Sequence, residues 1–211
     1  MKKIYVVLIK AHTGLGCFAR LFSGYGYTHI AVSLSPEMTD FLSFSRRRHY
    51  LPADAGFMHE KRDFYAFGSH KAFKAKIFAL DIPDENYRRI RNFIAYCEKD
   101  KTLEFNLFSM MTMPIIHGFP IPKTYNCMSF TAKILKLSGL FDMPKAYWKY
   151  SIPDMDMLME KYCIFEGYIP RTNSDEYADY MKKCSPAELI KYTSRLIASL
   201  AERMIFGIRK E

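Results

Sequence analysis

Between residues 28 and 44 side chains alternate with a period of two, which leaves little choice of local structure. Thr28-His29-Ile30-Ala31-Val32-Ser33-Leu34 runs into the turn-forming Ser35-Pro36-Glu37-Met38, and residues 40–44 return. The pattern predicts a β-hairpin, because successive strand side chains point to opposite faces and the Ser-Pro step breaks the run. Ile30, Val32 and Leu34 share one face with Leu42 and Phe44. His29, Ala31 and Ser33 take the other, beside Phe41, Ser43 and Ser45. A histidine therefore begins a clean strand on its less apolar side. It can be a sheet-end residue bonded to a carbonyl, or a functional group.

A second constraint lies downstream, where Thr124-Tyr125-Asn126-Cys127-Met128-Ser129-Phe130 turns a loop into a helix. Asn126 suits an N-cap, Phe130, Ile134 and Leu137 recur at helical spacing, and Gly139 suits a C′ stop. Cys127 falls in the first turn, where free N–H groups and the helix dipole favour an anion and hence a thiolate. The plainer reading makes Cys127 a small buried hydrophobe, as most free cysteines are. The catalytic reading requires a base. Of the six histidines, His12 lies in a glycine loop, His49, His59 and His70 in basic segments, and His117 among methionines. Only His29 interrupts a regular pattern.

The rest of the chain supplies a frame. Residues 4–9 read as a buried strand, because the apolar run is shorter than the ~7–15 residues of a secretory core. No run reaches the ~20 apolar residues of a membrane span. Residues 11–16 form a glycine loop before a short helix at 17–22. That loop lacks both the Lys-Ser/Thr ending and the third glycine of nucleotide-binding fingerprints, so no cofactor is expected. Arg46, Arg47 and Arg48 open a loop reaching Pro52 and Gly56, with strand pieces expected at 57–60 and 63–66. A strand at 75–82 precedes a helix begun by Pro83 and Asp84, with Tyr87, Ile90, Ile94 and Cys97 inward and Arg88, Arg89 and Arg91 solvated. Residues 103–122 read as a covering loop or broken helix. A short helix at 153–161, a strand at 162–169 and tail helices at 174–183 and 185–208 complete the chain. The last helix carries a broad apolar stripe, and docking on the protein body is favoured over contact with a membrane.

An apolar content of 49% over 211 residues can fill one core, so disorder is excluded. Five scattered cysteines without a CxxC pair argue against structural zinc and a disulfide framework, and for a reducing, cytoplasmic setting. The net charge of +9 favours an acidic partner: nucleic acid, anionic lipid or an anionic cell-wall polymer. No zinc-finger or RNA-binding signature accompanies it, so specific nucleic-acid binding is not expected.

Tyr27-Thr28-His29-Ile30-Ala31-Val32-Ser33-Leu34, followed far downstream by Asn126-Cys127-Met128-Ser129-Phe130, resembles the circularly permuted branch of the NlpC-type, papain-like superfamily. The YiiX-like proteins and, more distantly, the lecithin:retinol acyltransferase group share this order. Phe41-Leu42-Ser43-Phe44-Ser45-Arg46, Gly56-Phe57-Met58-His59-Glu60 and Phe165-Glu166-Gly167 support the likeness, which spans residues 4–170. The resemblance implies an α+β fold in which the nucleophile helix packs on an antiparallel sheet. It implies a core domain over 1–170 and a helical extension over 171–211. It further implies Cys127 as nucleophile, His29 as general base and acid, and the Cys127 N–H as an oxyanion donor. A third, polar residue orients the histidine in that superfamily. The hairpin face offers Ser43, while Asp40 at the turn and Glu60 on the next segment are the alternatives. Tyr125 can bind substrate or simply pack.

The expected activity is therefore that of a thiol hydrolase (peptidase or amidase) or an acyltransferase. It would act through a Cys127 thioester on a small peptide, a cell-wall fragment or a lipid acyl group. The alternative is a non-catalytic module of the same fold that holds an anionic lipid or cell-wall polymer.

Overall fold

The computed structural model describes residues 1–10 and 25–207. The glycine loop, the helix expected at 17–22, His12 and Cys17 lie outside them, as does Ile208. The fold is α+β, built on one antiparallel sheet of six strands. In chain order the strands are β1 (Lys2–Ile9), β2 (His29–Ser33), β3 (Phe41–Arg48), β4 (Leu51–Glu60), β5 (Ala72–Ile82) and β8 (Cys163–Pro170). Their spatial order is β4-β3-β2-β1-β5-β8. A two-stranded parallel ladder, β6 (Glu104–Phe105) with β7 (Thr124–Tyr125), stands apart.

The hairpin register sets the two faces. Val32 pairs with Leu42 and Ile9 with His29, so the even residues of β2 face one core and His29 faces the other. On the first face Val6, Ile30, Val32, Leu42, Phe44 and Phe78 meet the helices α1 (Asp84–Lys99), α3 (Cys127–Ser138) and α4 (Ile152–Met159). On the second, Val7, Ile9, Ala31, Phe41 and Phe73 close around Tyr65 and Ala66.

Two expectations are corrected here. The arginines do not open a loop: they end β3, and β4 begins after His49 and Tyr50, carrying Pro52 and Gly56 within a ten-residue strand. Pro52 breaks no ladder because β4 lies at the sheet edge, where a missing N–H is tolerated. The segment expected as a strand at 63–66 is instead a 3₁₀ turn, Arg62–Phe64, followed by Tyr65. Residues 107–116 form a true helix, α2, capped by the Asn106 side chain, so the covering loop is partly regular. The tail forms a single turn, α5 (Tyr177–Tyr180), and a long helix, α6 (Pro186–Phe206). Helix α6 docks on the body through Leu196 and Leu200, which meet Ile121, Ala53 and Phe108.

Helix α3 is buried nearly all round, with nine of its residues inaccessible, which explains why its apolar pattern is weakly one-sided. Phe130 sits between Phe44, Phe57 and Phe93 at centroid distances of 5.6, 5.7 and 5.6 Å. Each such pair contributes about 0.5–1.5 kcal/mol beyond area burial. The C-terminus stops at Gly139, whose φ of 68° suits glycine, and a Cβ there would lie 2.7 Å from Asn86 Nδ2. That Asn86 nitrogen donates to Ser138 O at 2.8 Å, tying α1 to the end of α3.

Candidate active site

The N-terminus of α3 is fixed by a reciprocal capping box. Asn126 Oδ1 accepts from the Ser129 N–H at 2.8 Å, and Ser129 Oγ accepts from the Asn126 N–H at 2.9 Å. Cys127 is then the first helical residue and is only 6% exposed. Among the described residues nothing accepts a hydrogen bond from the N–H groups of Cys127 or Met128. They are the free donors that every helix start leaves. Asn126 Nδ2, fully buried, also lacks a hydrogen-bond partner.

His29 begins β2, and interaction with the Cys127 thiol is one of the influences that raise its pKa. Its Nε2 lies 2.8 Å from Glu60 Oε2. Glu60 ends β4 on the same sheet face and is nearly inaccessible. Three hydroxyls surround its carboxylate. Tyr65 OH donates at 3.0 Å, Ser43 Oγ donates through a short bond, and the more distant Ser45 adds to the stabilisation of the charge. The Tyr65 ring also lies against the imidazole, with centroids 5.7 Å apart.

Electrostatics follow from these contacts. Burial pushes the His29 pKa down, but the Glu60 charge and the hydrogen bonds to Cys127 and Glu60 outweigh it, raising it from 6.5 to about 10. Burial likewise works against the Glu60 carboxylate, and His29 with Ser43 and Ser45 still holds it below its ordinary value. Tyr65 is pushed well above 10 by burial and by Glu60, so its hydroxyl stays protonated as a donor. Imidazolium is therefore the resident form near neutral pH. It is poised between a thiol and a carboxylate, as nucleophile, base and orienting group require.

Of the three candidates for orienting His29, Glu60 makes the contact and Ser43 supports Glu60 rather than the ring. Asp40 points elsewhere, to His59 Nδ1 at 2.6 Å and Lys61 Nζ at 3.1 Å. Glu166 accepts from Tyr27 OH at 2.7 Å and pairs with Lys74 at 3.0 Å, bracing the chain just before β2. The contribution of Tyr65 was not visible in the sequence, because a 3₁₀ turn gives no periodic signal. Tyr125 stacks on Tyr147 with centroids 5.9 Å apart. With Tyr96 and residues 120–124 it lines a cavity of about 360 Å³. A larger one, about 710 Å³, lies at Asp40, Arg48, His59 and Tyr180. Neither includes Cys127 or His29 in its lining.

The arginine cluster is committed to structure. Arg47 and Arg48 pair with Asp54 at 3.3 and 3.2 Å, Arg48 also reaches Glu188 at 3.5 Å, and Arg46 donates to Tyr180 OH at 3.1 Å. Among the described residues no group of His, Cys, Asp and Glu side chains could hold a metal ion. No helix among them is long and apolar enough to cross a membrane. Comparisons with family models, with curated proteins and with solved structures find no match for this chain.

Proposed function

We propose that the chain is a cysteine hydrolase or acyltransferase with Cys127, His29 and Glu60 as its catalytic group, organised as in the permuted NlpC-type, papain-like enzymes. The observation that carries this reading is a buried imidazole held by a carboxylate on Nε2 and electrostatically coupled to a helix-start thiol. In this mechanism the Cys127 proton rests on His29, as imidazolium, while the sulfur attacks the carbonyl carbon of an amide or ester. The free N–H of Cys127 at the helix start receives the developing oxyanion. His29 then gives its proton to the departing amine or alkoxide as the tetrahedral intermediate collapses to a thioester. Water, or an acceptor nucleophile, loses a proton to His29 while attacking the thioester, and the sulfur leaves beside the restored imidazolium. Glu60 holds the ring and balances its charge throughout. The substrate class is a small peptide, a cell-wall fragment or a lipid acyl group, and the unpaired cysteines favour a cytoplasmic setting.

Competitive alkylation tests the reading. Cys163 is exposed whereas Cys127 is buried, so access alone favours Cys163. Iodoacetamide at mildly acidic pH should nevertheless label Cys127 fastest, and His29→Gln should remove that advantage. If Cys127 reacts no faster than Cys97, Cys163 or Cys184, or if the His29 substitution changes nothing, the catalytic reading fails. The non-catalytic module would then stand in its place.

A further inference from the structure

Helix α6 is 21 residues long, yet only Leu196 and Leu200 among its side chains are buried. Relative to Leu200, Ile197 and Met204 lie three residues before and four after, so they share its side of the helix. Ile190 extends the same line one heptad earlier. These residues remain outside the core: Ile190 is 67% exposed, Ile197 44% and Met204 53%. Ile205 and Phe206 at the helix end are 72% and 65% exposed. Beside α6, Phe108 of α2 packs on Leu196 and Leu200. Met111 and Ile115, three and seven residues further along α2, fall on the face of Phe108 and are 62% and 80% exposed. The whole of α2, LFSMMTMPII, carries no charged residue. Two neighbouring helices thus present an apolar ridge, and clustered exposed apolar side chains of this kind mark an interaction surface.

The charges around the ridge select its partner. Lys191 and Arg195 are exposed on the flank of the α6 apolar arc, with Lys182 and Lys183 exposed just before the helix. Their acidic neighbour Glu188 is already paired with Arg48, leaving Glu202 as the exposed acid of this helix. A net charge of +9 opposes close approach of a second copy and favours an anionic surface. An apolar arc edged by cations on a helix that cannot span a membrane is the pattern of an interfacial helix. We propose that the α6–α2 ridge seats the protein on anionic lipid bilayers, with Ile190, Ile197, Met204 and Ile205 entering the headgroup boundary. Arg203 of α6 donates to the carbonyls of Thr102 and Lys123 at 3.0 and 3.2 Å, and Ser199 donates to Glu104 at 2.6 Å. The docked helix is therefore bolted to the β6–β7 ladder, whose last residue precedes Asn126 and Cys127. Seating does not depend on thiol chemistry and holds for a catalytic or a non-catalytic protein.

Flotation of the full chain with vesicles is the test. One set contains equal parts of phosphatidylcholine and phosphatidylglycerol, the other phosphatidylcholine alone. The protein should float with the mixed vesicles and much less with the neutral ones, and added salt should weaken the binding. Ile190→Glu with Ile205→Glu alters two highly exposed positions, so folding, checked by an unchanged thermal transition, should survive. That pair should lower partitioning roughly tenfold or more. Lys191→Glu with Arg195→Glu should lower it about fivefold for each cation lost. The proposal is overturned by absence of flotation on both vesicles, or by equal flotation of wild type and the Ile190/Ile205 variant. It is also overturned if sedimentation shows a dimer that the same variant dissociates, since a second copy would then cover the ridge.

Discussion

Replacing Glu60 with Gln removes one charge from the site while keeping its shape, because the amide oxygen can still accept from Ser43 and Tyr65. In the native site His29 is lifted from 6.5 to about 10. At 1.36 kcal/mol per unit, that lift corresponds to about 5 kcal/mol of preference for imidazolium in the folded protein. With the carboxylate gone, only the influence of Cys127 still opposes the burial that disfavours the charged ring. The stability lost should approach the roughly 3–5 kcal/mol typical of breaking a buried pair. The sign is set by linkage: the raised histidine adds stability that is whole below 6.5 and fades as pH rises through about 10. The depressed Glu60 adds stability present above its ordinary 4.5 and lost as pH falls through its lowered value. The difference in unfolding free energy between wild type and Glu60→Gln should therefore peak at about pH 5–6.5 and shrink below about 1 kcal/mol by about pH 11. Urea unfolding followed by the fluorescence of the lone Trp148 measures it. A difference that stays constant over this range would refute the ion pair, because lost packing or a lost neutral hydrogen bond has no such titration.

Ser43→Ala removes a hydroxyl donor from a buried carboxylate and should cost about 1–3 kcal/mol in chemical unfolding. It should also move the acid limb of that stability profile to higher pH. Asp63 is inaccessible and takes hydrogen bonds from the backbone N–H groups of Thr172, Asn173 and Ser174 at 3.0, 2.9 and 2.7 Å. Burial opposes its charge, but these bonds hold it at about 2, below the ordinary 3.8. Asp63→Asn should therefore destabilise the fold by about 2 kcal/mol at neutral pH, and the difference should vanish as pH falls from about 4 toward 2, a change thermal melts at both ends would detect. Ser129→Ala breaks half of the α3 capping box and should cost about 1 kcal/mol. It should slow Cys127 alkylation while leaving the alkaline fading of the Glu60 profile in place.

How much of the site could be read beforehand depended on which residues lay in periodic elements. The β2–β3 alternation put His29 on the face of Phe41, Ser43 and Ser45, and the Val32–Leu42 pairing bears out that shared face. The cap, first turn and glycine stop of α3 were likewise local signals, satisfied within a few residues. Glu60 was harder to place because Pro52 and Gly56 made β4 look like a loop ending in a short strand. Its reach to His29 depends on β4 adding to the sheet edge beside β3, a tertiary fact that propensity does not carry. Tyr65 was invisible for a related reason: its position follows from a turn that folds back beneath the sheet. The α6 stripe was legible, but only the structure separates Leu196 and Leu200, which dock, from Ile190, Ile197 and Met204, which do not.

The two contacts of His29 have different mechanical origins. The His29–Glu60 contact belongs to the sheet: both residues lie on the second face, and β2, β3 and β4 are adjacent strands. Cys127 belongs to the first face, on a helix whose buried side chains interlock with Phe44, Phe57 and Phe93. Cys127 therefore acts on the ring from the other core, at the start of β2. A carboxylate buried among hydroxyls aligns the imidazole and favours its charged form, to which Cys127 on α3 adds. The reach of the thiol is set separately, by the capping box and by the packing of α3 on the sheet. Nucleophile reactivity is thus the quantity most sensitive to whatever binds beside that helix.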